Sequence, residues 1–158
     1  MAKDTAQREL LRRHLTHYGP ATIRDAARFF GTTQAQIKES LNRLPVTQAM
    51  LGGRTFFSID TRDPSGDLPD CLFLAGFDPL MLGYEKPESL FVPGGHVRDI
   101  FTRAGIIRAT APVHGEVVGW WSLKNRRLTI RLFDPSCKPL VTHAAERLWP
   151  ALRQVALV

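Results

Sequence analysis

Two glutamines separated by a single residue, Gln34 and Gln36, carry side chains that could do chemistry or contact DNA bases. An amide can orient a reacting water, and it can form paired hydrogen bonds with adenine. The surrounding sequence predicts a short helix, in which residues two apart point about 200° away from each other. The two amides therefore cannot act together on one reacting group. Contact with a DNA groove or plain solvation is a better interpretation of the pair than catalysis.

Other candidate catalytic or metal-binding groups are sparse. Asp78 and Glu85 are a possible carboxylate pair, but an Asp-Pro sequence is more typical of a turn. His14 and His17 share a helical face without a third ligand in view. The sequence contains no phosphate-cradling glycine loop, no Ser-His-Asp order and no dinucleotide fingerprint. We therefore predict no catalytic residue, no metal and no small-molecule cofactor.

The cysteines and the paired tryptophans have plain structural interpretations. Cys71 and Cys137 lack the spacing of a zinc site, so we expect reduced thiols, with a disulfide as the less favoured alternative. Trp120 and Trp121 point to opposite faces of a predicted strand. One should lie in the core, and the other either stacks on a flipped base or packs against the C-terminal helix, which is the favoured choice.

Charge is unevenly distributed along the chain. Residues 1–59 carry nine Lys and Arg against four Asp and Glu, and residues 96–158 carry ten against four. Residues 60–95 between them carry two against seven. Two basic blocks flanking an acidic connector favour contact with a polyanion by both blocks. The charge distribution alone does not identify the partner as nucleic acid, because basic surfaces are common among proteins.

Two helices are predicted at the start of the chain. Asp4 is the expected N-cap of the first, and a Gly-Pro pair at Gly19 ends it. Thr22 and Asp25 have the spacing of a capping box at the start of the second. Gly31 is the expected C-cap.

A third helix and a β-hairpin follow. Ile37, Leu41 and Leu44 form one apolar stripe, and Pro45 ends the helix. Two β-type segments are then joined by Gly52-Gly53, which suits a type I′ turn. The register of such a hairpin pairs Val46 with Ile59 and Gln48 with Phe57.

Three short helices followed by a hairpin is the element order of a winged helix. In that fold the third helix enters the major groove and the hairpin tip contacts the DNA backbone or the minor groove. Amides suit adenine, whereas Lys and Arg suit guanine or phosphate. The alternative is a solvated face on a protein-contact module. The predicted DNA-binding residues are Thr33, Gln34, Gln36, Lys38, Asn42, Arg43 and Arg54.

The rest of the chain predicts a linker and a second domain. Residues 60–70 are rich in Pro, Gly, Ser and Asp and are expected to form an acidic linker between a winged helix over 1–59 and a domain over 71–158. Three alternating segments from Ile107 to Leu132 predict an antiparallel meander with a turn at His114-Gly115.

The chain is predicted to close with an amphipathic helix. Its apolar stripe consists of Val141, Ala145, Leu148, Leu152 and Val155. Pro150 should kink or restart this helix. The fold class expected from these elements is α+β, a winged helix followed by a small antiparallel β-barrel or curled sheet with a C-terminal helix.

Several stretches resemble the winged-helix DNA glycosylases of the AlkZ type, which remove alkylated or crosslinked bases. The family has a "GPAT…D…A…G" winged helix, a "FDxxLLGY" segment and an "F…NG…RPT…VDG…VGTW" meander, and the resemblance runs from about residue 8 to about residue 155. The matching residues, in order, are Phe77-Asp78, Leu82-Gly83-Tyr84, Phe101, Gly105, Arg108, Gly115, Gly119 and Trp121.

The resemblance implies a DNA-binding protein that corresponds to the C-terminal half of such a glycosylase. In the family a catalytic glutamine pair lies in an upstream winged helix, and this chain is expected to begin after it, so whether it is an enzyme stays open. The alternative is a noncatalytic transcription regulator or protein-interaction module.

The expected partner is double-stranded DNA, and the sequence does not indicate the oligomeric state. No apolar run reaches the ~20 residues of a membrane span, and no leader opens the chain. A cytoplasmic protein without membrane contact is therefore expected.

Overall fold

The computed structural model of the protein describes residues 3–59, 68–86 and 89–158, and for Lys3 it describes the backbone alone. Three helices and a two-stranded hairpin come first, and a four-stranded sheet with further helices follows. The predicted α+β class with antiparallel strands and a C-terminal helix is confirmed. Among the described helices, none combines the length and apolarity needed to cross a lipid bilayer.

The described residues fall into two units. The first contains the described part of Met1–Gly66 and the short segment Leu82–Glu85. The second contains the described part of Asp67–Met81 and of Lys86–Val158. Most of the predicted acidic linker lies outside the described residues. The division of the chain at residues 59 and 70 therefore stays a prediction.

Three helices open the first unit: α1 (Lys3–His17), α2 (Ile23–Phe30) and α3 (Gln34–Leu41). Asp4 lies in the first turn of α1, so its prediction as the N-cap was wrong. A carboxylate in that turn still interacts favourably with the positive end of the helix dipole.

The two ends of α2 follow the sequence prediction. The Thr22 hydroxyl accepts a hydrogen bond from the Asp25 backbone N–H at 3.1 Å, and Asp25 Oδ2 accepts one from the Thr22 N–H at 2.8 Å. At the other end Gly31 has φ +60°, the left-handed conformation that favours glycine. The predicted capping box and C-cap are confirmed.

A two-residue turn joins strands β1 (Thr47–Leu51) and β2 (Arg54–Ser58) into a hairpin. Gly52 and Gly53 have φ of +56° and +73°, as a type I′ turn requires. Gln48 pairs with Phe57, so the predicted turn and register are confirmed.

The core of the first unit is built by one face of each helix and the end of the hairpin. Each fully buried aliphatic side chain contributes roughly 1.5–3 kcal/mol relative to its exposed state. The buried residues of this core are Leu11, Leu15, Ala21, Ala26, Ala27, Ile37, Leu41 and Ile59.

The segment Leu82–Glu85 belongs to the first unit through two hydrogen bonds. The Tyr84 hydroxyl donates to the backbone oxygen of Tyr18 at 2.7 Å, just beyond the end of α1. The Glu85 backbone N–H donates to Asp25 Oδ1 at 2.7 Å. Asp25 is buried and its two oxygens are both occupied, so the start of α2 is fixed to this segment.

The second unit is centred on strands β3 (Thr110–Val113), β4 (Glu116–Lys124) and β5 (Arg127–Leu132), which form the predicted antiparallel meander. His114 and Gly115 form the first turn, with φ of +48° and +86°. Gly119, one of the residues on which the family resemblance rests, is required sterically, because a Cβ there would lie 2.2 Å from the backbone oxygen of Arg131.

The prediction of a β-barrel was wrong. The sheet of the second unit has the strand order β3-β4-β5-β6, where β6 is Gln154–Leu157, and in the described residues its two edge strands do not pair with each other. Cys71 and Leu74 add only isolated bridges to β3. Four strands of four to nine residues leave an open sheet, since closure needs more strands and a consistent stagger.

The C-terminal segment also differs from its prediction as one kinked helix. Helix α6 (Lys138–Leu148) ends before Pro150, and the chain returns as β6, which pairs parallel to β5. A proline offers no backbone N–H and obstructs the preceding turn, so it stops this helix. Val155 and Leu157 then pack on the core as alternate residues of a strand.

Two hydrophobic clusters stabilise the second unit. One joins β3 and β5 to α6, and the other joins β4 to the segments before β3. The short helices α4 (Pro79–Leu82) and α5 (Val97–Ile100) lie in those segments. The buried residues of the first cluster are Cys71, Val113, Leu128, Ile130, Val141 and Ala145; those of the second are Met81, Val92, Ile100, Ile107 and Val117.

A buried histidine lies among aromatic rings in the first unit. His14 is only 4% exposed, and neither of its ring nitrogens has a hydrogen-bond partner among the described residues. Its ring centroid lies 5.3 Å from that of Tyr18, 4.6 Å from that of Phe29 and 5.4 Å from that of Phe30. Burial lowers the pKa of His14, and the charge of Asp25 acts in the opposite direction.

The His14 environment makes stability depend on pH. Because the pKa of His14 lies below 6.5 in the folded state, the unfolded chain binds the proton first as the pH falls. We expect the free energy of unfolding to decrease between about pH 7 and about pH 5, by at most about 1.4 kcal/mol per pH unit. Urea unfolding at several pH values measures this change.

Matched histidine variants separate this effect from other titrations. His14→Phe should flatten the pH dependence in that window, whereas the variant of the exposed His17, His17→Ala, should retain it. An unchanged slope in His14→Phe would contradict the role assigned to the buried ring.

Candidate nucleic-acid interface

Helix α3 begins with a reciprocal set of hydrogen bonds between Thr33 and Gln36. The Thr33 hydroxyl accepts from the Gln36 backbone N–H at 3.3 Å, and Gln36 Oε1 accepts from the Thr33 N–H at 3.2 Å. Gln36 Oε1 also accepts from the hydroxyls of Thr32 at 2.5 Å and Thr33 at 3.0 Å. This is a capping box, a role that the Thr-x-x-Gln spacing could have revealed in the sequence.

The capping box distinguishes the two glutamines. A paired contact with adenine uses both the carbonyl and the amino group of an amide. The carbonyl oxygen of Gln36 is occupied by its own helix terminus, so only its amino group is available to an outside acceptor. Gln34, the first residue of α3, is exposed and takes no part in the capping box. The two side chains thus have different capacities for contact.

The remaining predicted residues of α3 lie on its outer surface. Ile37 and Leu41 face the core, so the predicted apolar stripe is confirmed for these two. Arg43 Nη2 lies 3.8 Å from Glu39 Oε1, an exposed pair that salt screens easily. The exposed predicted residues are Thr33, Gln34, Gln36, Lys38, Asn42 and Arg43.

Arg54 lies at the tip of the hairpin. Its backbone is directly opposite Leu51, next to the Gly52-Gly53 turn. Its guanidinium carbon is 5.5 Å from the centre of the Phe56 ring, which is buried. Such a cation–π contact limits the orientations of the side chain while leaving its charge near the surface.

A small cleft of about 130 Å³ separates α1 from α3. Its walls combine opposite charges and amides, so it is not a uniformly cationic site. The lining residues are Asp4, Gln7, Arg8, Gln36, Glu39, Ser40 and Arg43.

The second unit carries a basic turn that the sequence interpretation did not single out. Asn125 and Arg126 have φ of +50° and +62° between β4 and β5, and Lys124 and Arg127 flank them. Arg126 Nε donates to the backbone oxygen of Ala151 at 2.8 Å, and Arg127 Nε donates to Gln154 Oε1 at 2.9 Å. In the part of the chain that the structure describes, these three cations have no carboxylate partner.

The two neighbouring tryptophans of β4, Trp120 and Trp121, are both engaged in packing. Trp121 Nε1 donates to the backbone oxygens of Leu74 and Thr110, both at 3.1 Å, and its ring contacts Phe73 and Trp149. Trp120 packs against the other cluster, with the guanidinium carbon of Arg108 4.2 Å from its ring centre. The expectation that a tryptophan of this pair packs near the C-terminal helix is confirmed for Trp121, which contacts Trp149, the residue that follows α6.

The other candidate chemical groups have structural roles. Asp78 Oδ1 accepts from the Leu80 backbone N–H at 2.9 Å, as the expected turn former does. Cys71 and Cys137 are free thiols, as expected, and burial raises the pKa of Cys71 to about 11. A thiol with so high a pKa is a poor nucleophile at neutral pH. Within the described residues no group of three metal-binding side chains is present.

Comparison with protein families decides what kind of chain carries these features. The model of the family described as "DNA glycosylase AlkZ-like" matches residues 1–156. The chain belongs to this family. The resemblance inferred from the sequence is therefore confirmed. A search of curated proteins gave no match.

A solved structure shows the same fold. The Streptomyces sahachiroi DNA glycosylase AlkZ superposes with a TM-score of 0.82 and 22% sequence identity over 100% of this chain. The match covers 47% of that structure, so the chain spans about half the length of its structural relative. At this level of identity the match shows the fold.

The different roles of the two glutamines can be tested by stability. Thr33→Ala and Gln36→Ala each remove part of the α3 capping box and should lower the free energy of unfolding by about 0.5–2 kcal/mol. Gln34→Ala, a matched amide on the same turn, should change it by less than about 0.5 kcal/mol. Urea unfolding monitored by circular dichroism provides the comparison. Equal effects of Gln34→Ala and Gln36→Ala would contradict the capping assignment.

Proposed function

We propose that the first unit is a winged helix that binds double-stranded DNA through α3 and the hairpin tip, as part of a base-excision glycosylase acting on alkylated or crosslinked bases. The observation that carries the proposal is the exposed polar and basic surface of α3, followed in the chain by a glycine-tipped hairpin. Membership of the AlkZ-like family supports the same conclusion.

The proposed contacts divide into two chemical types. Gln34 and Asn42 offer complete amides that can pair with adenine in the major groove. Lys38 and Arg43 can bind phosphate or guanine, and Arg54 can bind phosphate beside the hairpin tip. These residues hold the duplex in register, and the amides supply any base preference.

Thr33 and Gln36 have a narrower role in this proposal. Both belong to the capping box, so Gln36 offers only its amino group to an acceptor such as a phosphate oxygen or adenine N7. Their main contribution is to fix the first turn of α3. Because the N-terminus of a helix carries a partial positive charge, this turn also favours a nearby phosphate.

Electrostatics agrees with a nucleic-acid partner. Glu39 is the one acidic residue on α3, and its carboxylate forms a long, exposed ion pair with Arg43 at 3.8 Å. The basic turn at Lys124, Arg126 and Arg127 supplies positive charge on the second unit that no carboxylate among the described residues pairs with. Each Lys or Arg that neutralises a phosphate releases counterions and strengthens binding at low salt.

In this proposal the chain provides the DNA-binding surface. We assign no described residue a role in base excision. Gln36 Oε1 already accepts three hydrogen bonds from its own helix terminus, and Asp25 is a buried capping residue with both oxygens hydrogen-bonded within the first unit, so we assign neither side chain the task of orienting a water. We therefore expect the purified chain to bind a duplex containing an alkylated purine without releasing the base. Chromatographic detection of the free base would contradict this expectation.

Salt dependence tests DNA binding directly. We expect the logarithm of the affinity for a duplex to fall linearly with the logarithm of salt concentration. Lys38→Ala combined with Arg43→Ala should reduce the magnitude of that slope by up to about 2, because each cation that binds a phosphate accounts for roughly one unit of it. Fluorescence anisotropy across a salt series gives the slope.

The control removes the same charge elsewhere. Arg12 and Arg13 both bind Glu9 on α1, at 2.8 Å each. Arg12→Ala with Arg13→Ala changes the net charge equally and should leave the slope nearly unchanged. A flat salt response of the unaltered chain would overturn the DNA-binding proposal.

A further inference from the structure

The hairpin tip presents two adjacent large apolar side chains to solvent. Met50 is 70% exposed and Leu51 is 59% exposed, and all five residues of β1 are exposed. A single exposed hydrophobic residue is ordinary. Because neighbouring residues of a strand point to opposite faces, Met50 and Leu51 make both sides of the hairpin tip apolar. Such a tip gains from contact with apolar surface on either side of it.

The tip is held in a defined conformation. Five consecutive residue pairs join β1 to β2, up to Leu51 opposite Arg54. The Thr55 hydroxyl donates to Met50 Sδ at 3.2 Å across the hairpin. A Cβ added at Gly52 or Gly53 would meet no atom within 4 Å, so the space around the turn is open. Glycine is needed there for the positive φ of the turn and not for lack of room. The tip is therefore both narrow and ordered.

The charge around these apolar side chains indicates what they contact. Arg54 lies directly across from Leu51, and residues 1–59 carry nine Lys and Arg against four Asp and Glu. The matching partner is a polyanion that has apolar surface within a narrow groove. Duplex DNA has this combination, because phosphates border the minor groove and base pairs stack behind it.

We propose that Met50 and Leu51 form an apolar wedge that enters the minor groove and partly unstacks one base step, while Arg54 contacts the adjacent backbone. Met and Leu are among the side chains that minor-groove proteins insert between base pairs. Pyrimidine–purine steps such as TA and CA deform most easily, so the wedge acts there first. This inference rests on the proposed DNA binding of the first unit.

The wedge is tested with duplexes that carry 2-aminopurine at successive positions, including TA and CA steps. Its fluorescence rises when the base loses its stacked neighbours. We expect the full chain to raise the fluorescence at one or two positions, and Met50→Gln with Leu51→Gln to abolish that rise. The salt slope of duplex binding should be retained, because the double variant removes no charge.

Two further variants distinguish the wedge from a general defect. Met50→Leu keeps an apolar side chain and should retain the fluorescence rise. Gln48→Ala changes an exposed residue of the same strand, two positions from Met50, and should behave like the unaltered chain. All variants should unfold at the same urea midpoint, since the altered side chains are exposed.

The outcomes separate this inference from the function on which it rests. Salt-dependent binding by the unaltered chain with no fluorescence change at any position would overturn the wedge and leave the DNA-binding proposal standing. An absence of duplex binding would overturn both. A full fluorescence rise in the double glutamine variant would overturn the wedge. So would a loss of self-association or of lipid-vesicle binding in that variant without a change in the DNA signal, since the tip would then serve another partner.

Discussion

The first unit depends on the carboxylate of Asp25. It is buried, and its two oxygens accept hydrogen bonds from the Thr22 backbone, the Thr22 hydroxyl and the Glu85 backbone. Removing this carboxylate would leave three part-buried donors without their acceptor, which costs up to about 1–3 kcal/mol for each. One side chain therefore fixes both the start of α2 and the position of a segment that is 60 residues distant in sequence. Tyr84, the neighbouring residue and part of a family motif, fixes the same segment through its hydrogen bond to the backbone oxygen of Tyr18.

The same kind of bond decides what the candidate interface can do. On α2 the capping acid is buried, whereas on α3 the capping amide Gln36 is exposed. An exposed cap can stabilise its helix and present an amino group outward at the same time. The glutamine pair that first attracts attention is thus divided between a structural residue and a surface residue.

The second unit shows how a short sheet is completed without closing into a barrel. Helix α6 covers one face through Val141 and Ala145, and the chain then returns as β6 beside β5. Trp121 packs against the cluster on one face of the sheet, and Trp120 packs against the other cluster with Arg108 over its ring. Arg126 and Arg127 of the β4–β5 turn donate to neutral acceptors, which orders these side chains without neutralising their charge.

Local patterns in the sequence determined the elements whose stabilising contacts are close in the chain. The capping box at Thr22, the C-cap at Gly31, the Gly52-Gly53 turn and the antiparallel meander all follow from residue types within a few positions of each other. The family was also evident from the order of its motifs. Of the candidate interface, the exposure of Lys38, Asn42 and Arg43 followed from the apolar stripe of α3.

Tertiary structure decided the features that depend on distant partners. The strand at 154–157 forms because β5 offers an unpaired edge, and nothing in its own sequence reports that edge. The barrel prediction failed for the same reason, since strand pairing across a whole sheet is not a local property. The burial of His14, the Asp25 contact to Glu85 and the exposure of Met50 and Leu51 likewise depend on which surfaces the folded chain brings together and which it leaves uncovered.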